Sequence, residues 1–480
     1  MGATPHRAQA SDDLAERLRT RFEPILDQAV EDHGIPGFAM AVVADGQIVY
    51  AVTRGVRSLA TGDKLEVHSL FHMASVTKTF VASSVMQLVE QGRIDLDAPV
   101  VRYVPYFRLK DPRHTAITVR QMLSHTSGMP DVDDYEWEKA LADDGALERY
   151  VRGLTDRELI AAPGEVFRYS NMAYEVLGDV IAKVSGEAFE GYVKAHLLAP
   201  LGMKDSTLLK AEVDPKLATR PHVLGHRLDA VVSPVYPYNR MHAPSSTLHS
   251  NVIDMSRWAL ANLRRGELEG KRILKESTYE VMWKPTGSPD RPVAISWFQD
   301  EHKGHRTLSH GGGDTGYRSQ LTLFPDEGVA LVLMVNFDAV PGELRDAATD
   351  VVLGFEPTRI PKPLGRIIGK TLLDHGVASA IEQYRALKKR APGDYDWGEG
   401  ELNRLGYWLS RNGRAADAVR VFMLNVEAHP LASNPHASLG EAYRKVGERD
   451  LALASYKRSL ELDPKNARAA QAVKELEPGK

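Results

Sequence analysis

The sequence contains no cysteine among its 480 residues. Disulfide bonds, thiolate metal sites and a cysteine nucleophile are therefore excluded. The absence does not fix the cellular compartment, because an exported protein can also lack cysteine. Residues 1–7 contain no apolar signal core. We therefore expect a cytoplasmic protein, or a periplasmic or secreted one whose signal peptide has been removed.

Long apolar runs and a strong charge of one sign are also lacking. The longest apolar run covers residues 329–335, which is far shorter than the ~20 residues of a membrane-spanning helix and predicts a buried strand. The net charge of −4 offers no basic surface for nucleic acid. A content of 43% hydrophobic and 26% charged residues is typical of a soluble folded protein. We expect neither a membrane span nor a nucleic-acid partner.

Residue patterns typical of helices and strands alternate along the first three quarters of the chain. Apolar positions at helical spacing predict an opening helix over residues 12–33. An Asp-Gly turn between β-prone runs predicts a hairpin of residues 38–44 and 47–50. A second hairpin is predicted for residues 319–324 and 329–336. Strands at both ends with helices between them predict an α+β fold, in which an antiparallel sheet is flanked by helices and joined by a helical subdomain.

A proline-rich segment predicts a domain boundary. Three prolines fall within residues 356–365, and proline neither continues a helix nor donates to a sheet. We therefore expect one domain over residues 1–355, a linker over residues 356–365, and a second domain over residues 366–480.

The second domain contains an internal repeat with an offset of 34 residues. The repeated positions are Leu405, Gly406, Leu409, Gly413, Ala418, Phe422 and Pro430, which recur as Leu439, Gly440, Tyr443, Gly447, Ala452, Tyr456 and Pro464. Period and residue types resemble the tetratricopeptide repeat, so we predict an all-α domain. Residues 367–392 resemble a degenerate first copy and residues 466–477 a capping helix. An ordinary helical array with accidental periodicity is the alternative. Such arrays commonly bind a protein partner or self-associate.

Ser75 and Lys78 form an S-x-x-K motif at the start of a predicted amphipathic helix. A spacing of three places both side chains on one helical face. A serine hydroxyl needs a base to become a strong nucleophile, and burial can tune a lysine toward neutrality for that task. The Ser75 N–H, at a helix N-terminus, is also suited to hold an oxyanion. The motif alone is weak, because surface serines and lysines often have this spacing.

A second motif, Y-x-N, covers residues 169–171. The Tyr169 phenol can relay a proton to a leaving group, or act as a base if a nearby cation lowers its pKa. The Asn171 amide can bind a substrate carbonyl or position Lys78. A tyrosine buried for packing is the alternative interpretation.

Residues 310–313 read His-Gly-Gly-Gly and precede a predicted edge strand. Glycines allow a backbone to approach a ligand closely. Gly313 N–H is therefore a candidate second oxyanion donor, and we expect His310 to point into the site. Together with His302 and His305, His310 could also bind a metal. Their spacing matches no standard zinc pattern, so we predict no metal and no cofactor.

The three motifs, in this order, resemble the serine β-lactamase and penicillin-binding protein superfamily. The tyrosine form of the second motif is similar to that of the class C β-lactamase branch, which includes D-aminopeptidases, D-Ala-D-Ala carboxypeptidases and family VIII esterases. The resemblance covers roughly residues 15–355 and includes residues 123–128, 200–203 and 248–258.

This resemblance implies a β-lactamase-like fold and catalysis through an acyl-enzyme. Ser75 would attack the carbonyl carbon. Lys78 and Tyr169 would share the serine proton and deliver it to the leaving group. Which of the two is the general base stays open.

The resemblance also implies the substrate contacts. The N–H groups of Ser75 and Gly313 would form the oxyanion hole, and Asn171, Gly311 and Gly312 would bind the substrate. His310 stands where typical β-lactamases carry lysine. Because histidine is mostly neutral at pH 7, it grips an anion less reliably, which favours neutral or amine-bearing substrates.

We therefore predict a serine hydrolase that acts on small esters, amides or peptides, as an esterase or a D-amino-acid peptidase does. The alternative is a catalytically weak sensor or scaffold whose repeats bind a partner. A metal-dependent hydrolase is a third hypothesis, which a chelator would separate from the first. We predict that residues 221–245, with Pro221, His222, Tyr236, Tyr238 and His242, line an aromatic, partly polar entrance.

Overall fold

The structure is a computed structural model that describes residues 12–286, 291 and 293–477. The N-terminal residues 1–7, which lack an apolar signal core, lie outside this range. A helix runs through residues 12–33, as predicted. Within the described ranges, no helix combines the length and apolarity that crossing a membrane requires.

The chain folds into two compact units. Of the described residues, the first unit contains those from 12 to 223 and from 230 to 358. The second contains residues 359–477 together with a short inserted segment, residues 224–229.

The first unit is built on a six-stranded sheet. Its strands are β1 (Gly37–Ala44), β2 (Gln47–Gly55), β9 (Phe298–His302), β10 (His305–Asp314), β11 (Tyr317–Phe324) and β12 (Val329–Val335). They lie in the order β2-β1-β12-β11-β10-β9, and all neighbours are antiparallel. The two predicted hairpins are therefore β1–β2 and β11–β12. Short two-stranded pairs complete the strands: β3 (Phe71–His72) with β6 (His249–Ser250), β4 (His222–Leu224) with β5 (Ala230–Val232), and β7 (Glu267–Leu268) with β8 (Lys271–Arg272).

At the centre of the sheet, a strand from the beginning of the first unit's sequence pairs with a strand from near its end. Every residue of β1 is buried, and Phe38 lies opposite Val335 of β12. A strand that is buried on both faces needs a continuous apolar run rather than an alternating one. The run from residue 37 to 44 supplies it.

One prediction about the sheet is wrong. Residues 310–313 lie inside β10, which pairs with β9 on one side and with β11 on the other. They do not precede an edge strand. The sequence does not predict a strand here because glycine has a low β-propensity.

Helices of the first unit lie mostly between β2 and β9 in the chain. Their bounds are α1 (Glu23–His33), α2 (Thr77–Glu90), α3 (Val119–Leu123), α4 (Ala146–Arg152), α5 (Asn171–Ser185), α6 (Phe189–Val193), α7 (Ala243–Ser246), α8 (Val252–Leu263), α9 (Glu276–Met282) and α10 (Glu343–Val352). The helix α2 is buried along most of its length. Its Phe80 ring stacks on Trp258 of α8, with ring centroids 3.9 Å apart. This packing fixes the first turn of α2 firmly in the core.

The second unit is all-helical, as predicted. Its helices are α11 (Leu364–Arg390), α12 (Glu399–Arg411), α13 (Ala415–Ala428), α14 (Ser433–Lys445), α15 (Arg449–Leu462) and α16 (Ala467–Leu476). The pairs α12–α13 and α14–α15 begin at positions that differ by the predicted 34 residues. Gly376, with φ of 83°, interrupts α11. The tetratricopeptide assignment itself stays a prediction.

Glycine allows the paired helices to approach each other closely. A Cβ atom at Gly406 would lie 2.5 Å from the Phe422 ring, and one at Gly440 would lie 3.0 Å from the Tyr456 ring. The repeated glycine and aromatic positions in the sequence are thus explained by helix packing.

The inserted segment contributes to the core of the second unit. Leu228 is only 2% exposed and packs in the cluster that contains Leu364, Ile368 and Leu405. The chain therefore passes between the units at three points along its length rather than at a single linker.

Candidate active site

Ser75 lies in a tight turn directly before α2. The turn is a 3-10 helix over Ala74–Val76, and Ala74 has a φ of 47°. Such left-handed backbone is strained for a residue with a side chain, and strain of this kind is often stored at functional sites. The Thr77 hydroxyl donates to the Ala74 carbonyl over 2.7 Å and so closes the turn.

Gly312 of β10 packs directly against this turn. A Cβ atom there would lie 2.2 Å from the Met73 carbonyl oxygen and 2.3 Å from the Ser319 hydroxyl. Only glycine allows the strand to come this close to the serine. The sequence predicts that Gly312 contacts the substrate. In the structure Gly312 instead packs against the backbone of Met73.

The Lys78 side chain is completely buried beneath Ser75. Its Nζ donates to Ser75 Oγ over 2.9 Å and to the Ser245 carbonyl over 2.8 Å. Burial lowers the pKa of Lys78 to about 8, against the field of nearby carboxylates. The carboxylates that oppose this shift belong to Glu175, Asp314 and Asp131. A large neutral fraction of Lys78 is therefore present at mildly alkaline pH.

Tyr169 lies beside the same lysine. Lys78 Nζ is 5.2 Å from the centre of the Tyr169 ring. Burial raises the pKa of Tyr169 above its ordinary value, although an interaction with the Ser75 hydroxyl acts in the opposite direction. The phenol is therefore protonated under physiological conditions, and it is suited to donate a proton.

His125 supports Tyr169 from behind. The two rings stack with centroids 4.2 Å apart, and His125 Nδ1 accepts the Ser170 N–H over 3.1 Å. Burial, reinforced by Lys78, lowers the pKa of His125 well below its usual value. Sequence reasoning assigned no role to His125. The only signal was that it falls within residues 123–128, a segment of the family resemblance.

Asn171 is the first residue of α5, and Asp131 orients it. The Asn171 Nδ2 donates to the two carboxylate oxygens of Asp131 over 3.0 and 3.2 Å, and the Asn171 backbone N–H donates over 2.8 Å. Among the hydrogen bonds of the described residues, none joins Asn171 to Lys78. Of the two roles that the sequence suggests, orientation of the substrate fits this arrangement better.

His310 is 1% exposed and neutral. Burial and the nearby Lys78 lower the pKa of His310 to about 3. Its Nδ1 lies 2.8 Å from the Gly311 carbonyl oxygen, which requires a proton on Nδ1. Its Nε2 is buried without a partner among the described residues. The ring lies 5.3 Å from that of Phe298. Where a lysine would hold a permanent charge, this chain presents a neutral acceptor.

A cavity of about 640 Å³ opens onto Ser75. Six of the predicted residues line it, namely Ser75, Tyr169, Asn171, His310, Gly311 and Gly313. Lys78 lies beneath its floor. The structure therefore brings the three sequence motifs to one place.

The predicted entrance at residues 221–245 is wrong. His222 and His242 are fully buried. His222 accepts the Leu59 N–H over 3.0 Å, and His242 lies 3.1 Å from the Glu175 carboxylate. The aromatic character of this segment serves internal packing. The described lining of the cavity instead includes Tyr135 and Phe298.

The three histidines considered as metal ligands do not converge. His302 pairs with Asp350 over 2.7 Å, whereas His305 pairs with Glu327 over 2.5 Å. No group of three potential ligands that could hold a metal occurs in the part of the chain that the structure describes.

The fold and the clustered motifs define a β-lactamase-like protein. A profile of the Beta-lactamase family matches residues 22–354, so the chain belongs to this family. Protein flp of Staphylococcus aureus (strain MW2) is 26% identical over 346 residues, which cover 71% of this chain and 68% of that protein. Penicillin-binding protein 4 of Amycolatopsis lactamdurans is 27% identical over 354 residues, which cover 69% of this chain and 91% of that protein.

Solved structures show the same fold. The octameric penicillin-binding protein homologue from Pyrococcus abyssi has a TM-score of 0.63 at 25% identity, over 73% of this chain and 81% of that one. The hydrolase EstCE1 has a TM-score of 0.60 at 22% identity, over 72% of this chain and 100% of that one. The family match and the curated relatives support serine-hydrolase-type activity in general and leave the substrate open.

Proposed function

We propose that the protein is a serine hydrolase that cleaves ester or amide bonds through an acyl-enzyme on Ser75. The observation that carries the proposal is the 2.9 Å hydrogen bond between Ser75 Oγ and Lys78 Nζ, where Lys78 is buried with a lowered pKa. A buried lysine that becomes neutral near working pH is a suitable base for a serine nucleophile.

Acylation follows from the arrangement around Ser75. Neutral Lys78 takes the Ser75 proton while Oγ attacks the carbonyl carbon. The N–H groups of Ser75 and Gly313 stabilise the oxyanion. As the bond to the leaving group breaks, Tyr169 donates its phenolic proton to the departing oxygen or nitrogen. The Lys78 ammonium then returns its proton to Tyr169, which restores both groups.

Deacylation uses the same groups in the reverse direction. Water attacks the Ser75 ester, neutral Lys78 removes the water proton directly or through Tyr169, and Ser75 regains its proton as the acid departs. The opposed pKa directions of Lys78 and Tyr169 favour Lys78 as the general base and Tyr169 as the proton donor.

The neutral His310 bears on the substrate class. His310 itself offers no permanent positive charge to a negatively charged group of the substrate, whereas a lysine at this position would. A permanent charge at this end of the cavity belongs to Arg291, which packs over the Phe298 ring. Because the strand itself carries no lysine, we favour esters, amides and peptides over β-lactams, and an esterase and a D-amino-acid peptidase are the two candidate activities.

The first test is hydrolysis of p-nitrophenyl butyrate by the wild type and by Ser75→Ala. We expect the variant to lose at least about a thousandfold in kcat/KM, because removal of a nucleophile disables the unit as a whole. Labelling with a fluorophosphonate, followed by intact mass measurement, should give one adduct on the wild type and none on Ser75→Ala.

Ser84→Ala is a matched control. Ser84 lies in α2, the helix that follows the Ser75 turn; it is buried, and its hydroxyl has no partner among the described residues. This variant should keep wild-type activity and labelling. Activity of Ser75→Ala above about a tenth of wild type would refute the assignment of the nucleophile.

A further inference from the structure

Asp314 is the last residue of β10 and directly follows the candidate oxyanion donor Gly313. Side chains alternate along a strand, so His310, Gly312 and Asp314 share one face. Gly312 contacts the turn that carries Ser75. At about 3.4 Å per residue, Asp314 and His310 each lie about 7 Å along the strand from Gly312, in opposite directions. They therefore lie on either side of the point where β10 contacts the turn that carries Ser75.

The Asp314 carboxylate is fixed in place and open to the cavity. His72 Nε2 lies 2.7 Å from Oδ2, and the Ser246 hydroxyl donates to the same oxygen. The Asp314 side chain keeps 11% of its surface exposed and lines the cavity. Within the described part of the chain, no hydrogen bond goes to Oδ1, so this oxygen is available to a ligand.

The arginines in and near the cavity do not pair with the Asp314 carboxylate in the described part of the chain. Arg291 packs over the Phe298 ring at 4.7 Å, at the His310 end of the site. Arg345 pairs with Asp346 over 2.7 Å. Outside the cavity lining, the neighbouring Arg318 donates to the backbone carbonyls of Asp314 and Tyr317 rather than to the carboxylate. The Asp314 end of the cavity therefore carries a carboxylate with no arginine or lysine ion pair among the described residues.

An aromatic ring lines the same cavity. Tyr135 stacks on Trp137 with centroids 4.6 Å apart and faces the cavity. Burial raises the pKa of Tyr135, and the fields of Asp131, Asp314 and Glu175 add to this effect. Tyr135 is therefore close enough to Asp314 to feel the electrostatic field of its carboxylate. A carboxylate near an aromatic face is a favourable environment for an alkylammonium group.

We propose that Asp314 is a specificity-determining residue that binds a protonated amino group of the substrate near the scissile carbonyl. The inference rests on the proposed acyl-enzyme function and names its substrate class, which is an α-amino ester or amide with a free amine. Oδ1 would accept a hydrogen bond from the ammonium, and Tyr135 would contribute part of its surroundings. His72 and Ser246 would act as positioning residues that hold the carboxylate.

The test uses the phenyl esters of glycine and N-acetylglycine, which differ in the charge on nitrogen. For the wild type we expect kcat/KM for the charged ester to exceed that for the acetylated ester by about tenfold or more. Asp314→Asn should remove this preference by lowering kcat/KM for the charged ester about tenfold or more relative to that for the acetylated ester. Ser246→Ala removes one of the two hydrogen bonds to Asp314 Oδ2 but keeps the carboxylate, so a smaller preference for the charged ester should persist.

Binding provides a readout that does not depend on turnover. In the Ser75→Ala background, calorimetry should show that glycine anilide binds at least about tenfold more tightly than N-acetylglycine anilide. Adding Asp314→Asn should make the two affinities equal. The advantage of the charged ligand should also shrink as salt is added, because ionic attraction is screened.

The outcomes separate this inference from the proposed function. Equal rates and equal affinities for the two ligands in the wild-type pocket would overturn the role of Asp314. An equal loss on both esters in Asp314→Asn would also overturn it and leave Asp314 a purely structural residue. Turnover that survives Ser75→Ala would instead refute the nucleophile, whereas the calorimetric comparison would still decide on Asp314.

Discussion

At the scale of single residues, burial shifts the proton affinities of the side chains around Ser75 in opposite directions. Lys78 has no exposed surface and a pKa lowered to about 8, whereas burial pushes the pKa of Tyr169 upward. The same loss of water therefore suits one neighbour of Ser75 to the proposed role of base and the other to the proposed role of acid. Two groups whose environments move their pKa values in this way divide the roles of proton acceptor and donor between them.

This division predicts the pH dependence of hydrolysis. Below pH 8 the Lys78 ammonium cannot accept a proton, so kcat/KM should rise with pH through a midpoint of about 8 and then level off. Tyr169→Phe should lower the rate but leave the midpoint in place. His310, with a pKa of about 3, should add no midpoint near 6.5.

The profile is measured as kcat/KM for p-nitrophenyl butyrate between pH 5 and pH 10. Lys78→Arg serves as the control, because arginine stays charged over this range, and it should be inactive throughout. A flat profile for the wild type between pH 6 and pH 9 would contradict the role of Lys78.

Motifs in the sequence identify the residues whose spacing is local, and they miss those that meet only through the fold. Ser75 and Lys78 are one helical turn apart, so their proximity was predictable. The Ser245 carbonyl, which fixes Lys78, is far away in the chain. His125 and Asp131, which hold Tyr169 and Asn171, likewise come from a separate loop. No period or spacing in the sequence connects them to the motifs.

At the scale of elements, the contact between β10 and the Ser75 turn sets the position of the Gly313 N–H, the candidate oxyanion donor, relative to Ser75. Gly312 allows this contact. A methyl group there would push the strand away from the turn, and with it the adjacent Gly313 N–H. The sequence indicated the importance of the glycines but placed them before an edge strand rather than inside a strand, because glycine in a strand interior weakens it.

Gly312→Ala should therefore cost both stability and activity. We expect a loss of about 1–3 kcal/mol in the free energy of unfolding, typical of overpacking, and a loss of at least about tenfold in kcat. Chemical denaturation and steady-state kinetics measure the two effects.

Gly191→Ala provides the comparison, because a Cβ atom at Gly191 in α6 meets nothing within 4 Å. This variant should match the wild type or gain slightly in stability, since alanine is the better helix former. If Gly312→Ala behaved in the same way, the close contact would not constrain the site.

At the scale of the whole molecule, the inserted segment makes the second unit dependent on a residue from the middle of the chain. Leu228 is buried in the helical core next to Gly369, where a Cβ atom would lie 2.3 Å from Leu228 Cδ1. The helices were predictable from the 34-residue period, whereas the linker over residues 356–365 stays a prediction. The insertion was not predictable, because six residues between short strands carry no repeat signal.

Leu228→Ala should destabilise the helical unit by about 2–4 kcal/mol, as expected for a leucine removed from a packed core. Thermal unfolding followed by circular dichroism would show the shift, and ester hydrolysis at 25 °C should persist. Leu431→Ala is the control, since Leu431 is 78% exposed and should change stability by less than about 0.5 kcal/mol. An equal response of the two variants would contradict the role of the inserted segment.

The pairing of β1 with β12 has a consequence for how the protein is made. β1 leaves the ribosome early, yet β12, the strand that pairs with its second edge, is synthesised roughly 300 residues later. At about 5–20 residues per second, β1 waits about 15–60 s for its partner. During this interval an uncharged strand of eight residues, Gly37–Ala44, has one edge unpaired. The yield of active protein in a cell should therefore depend strongly on the chaperones that shield nascent chains.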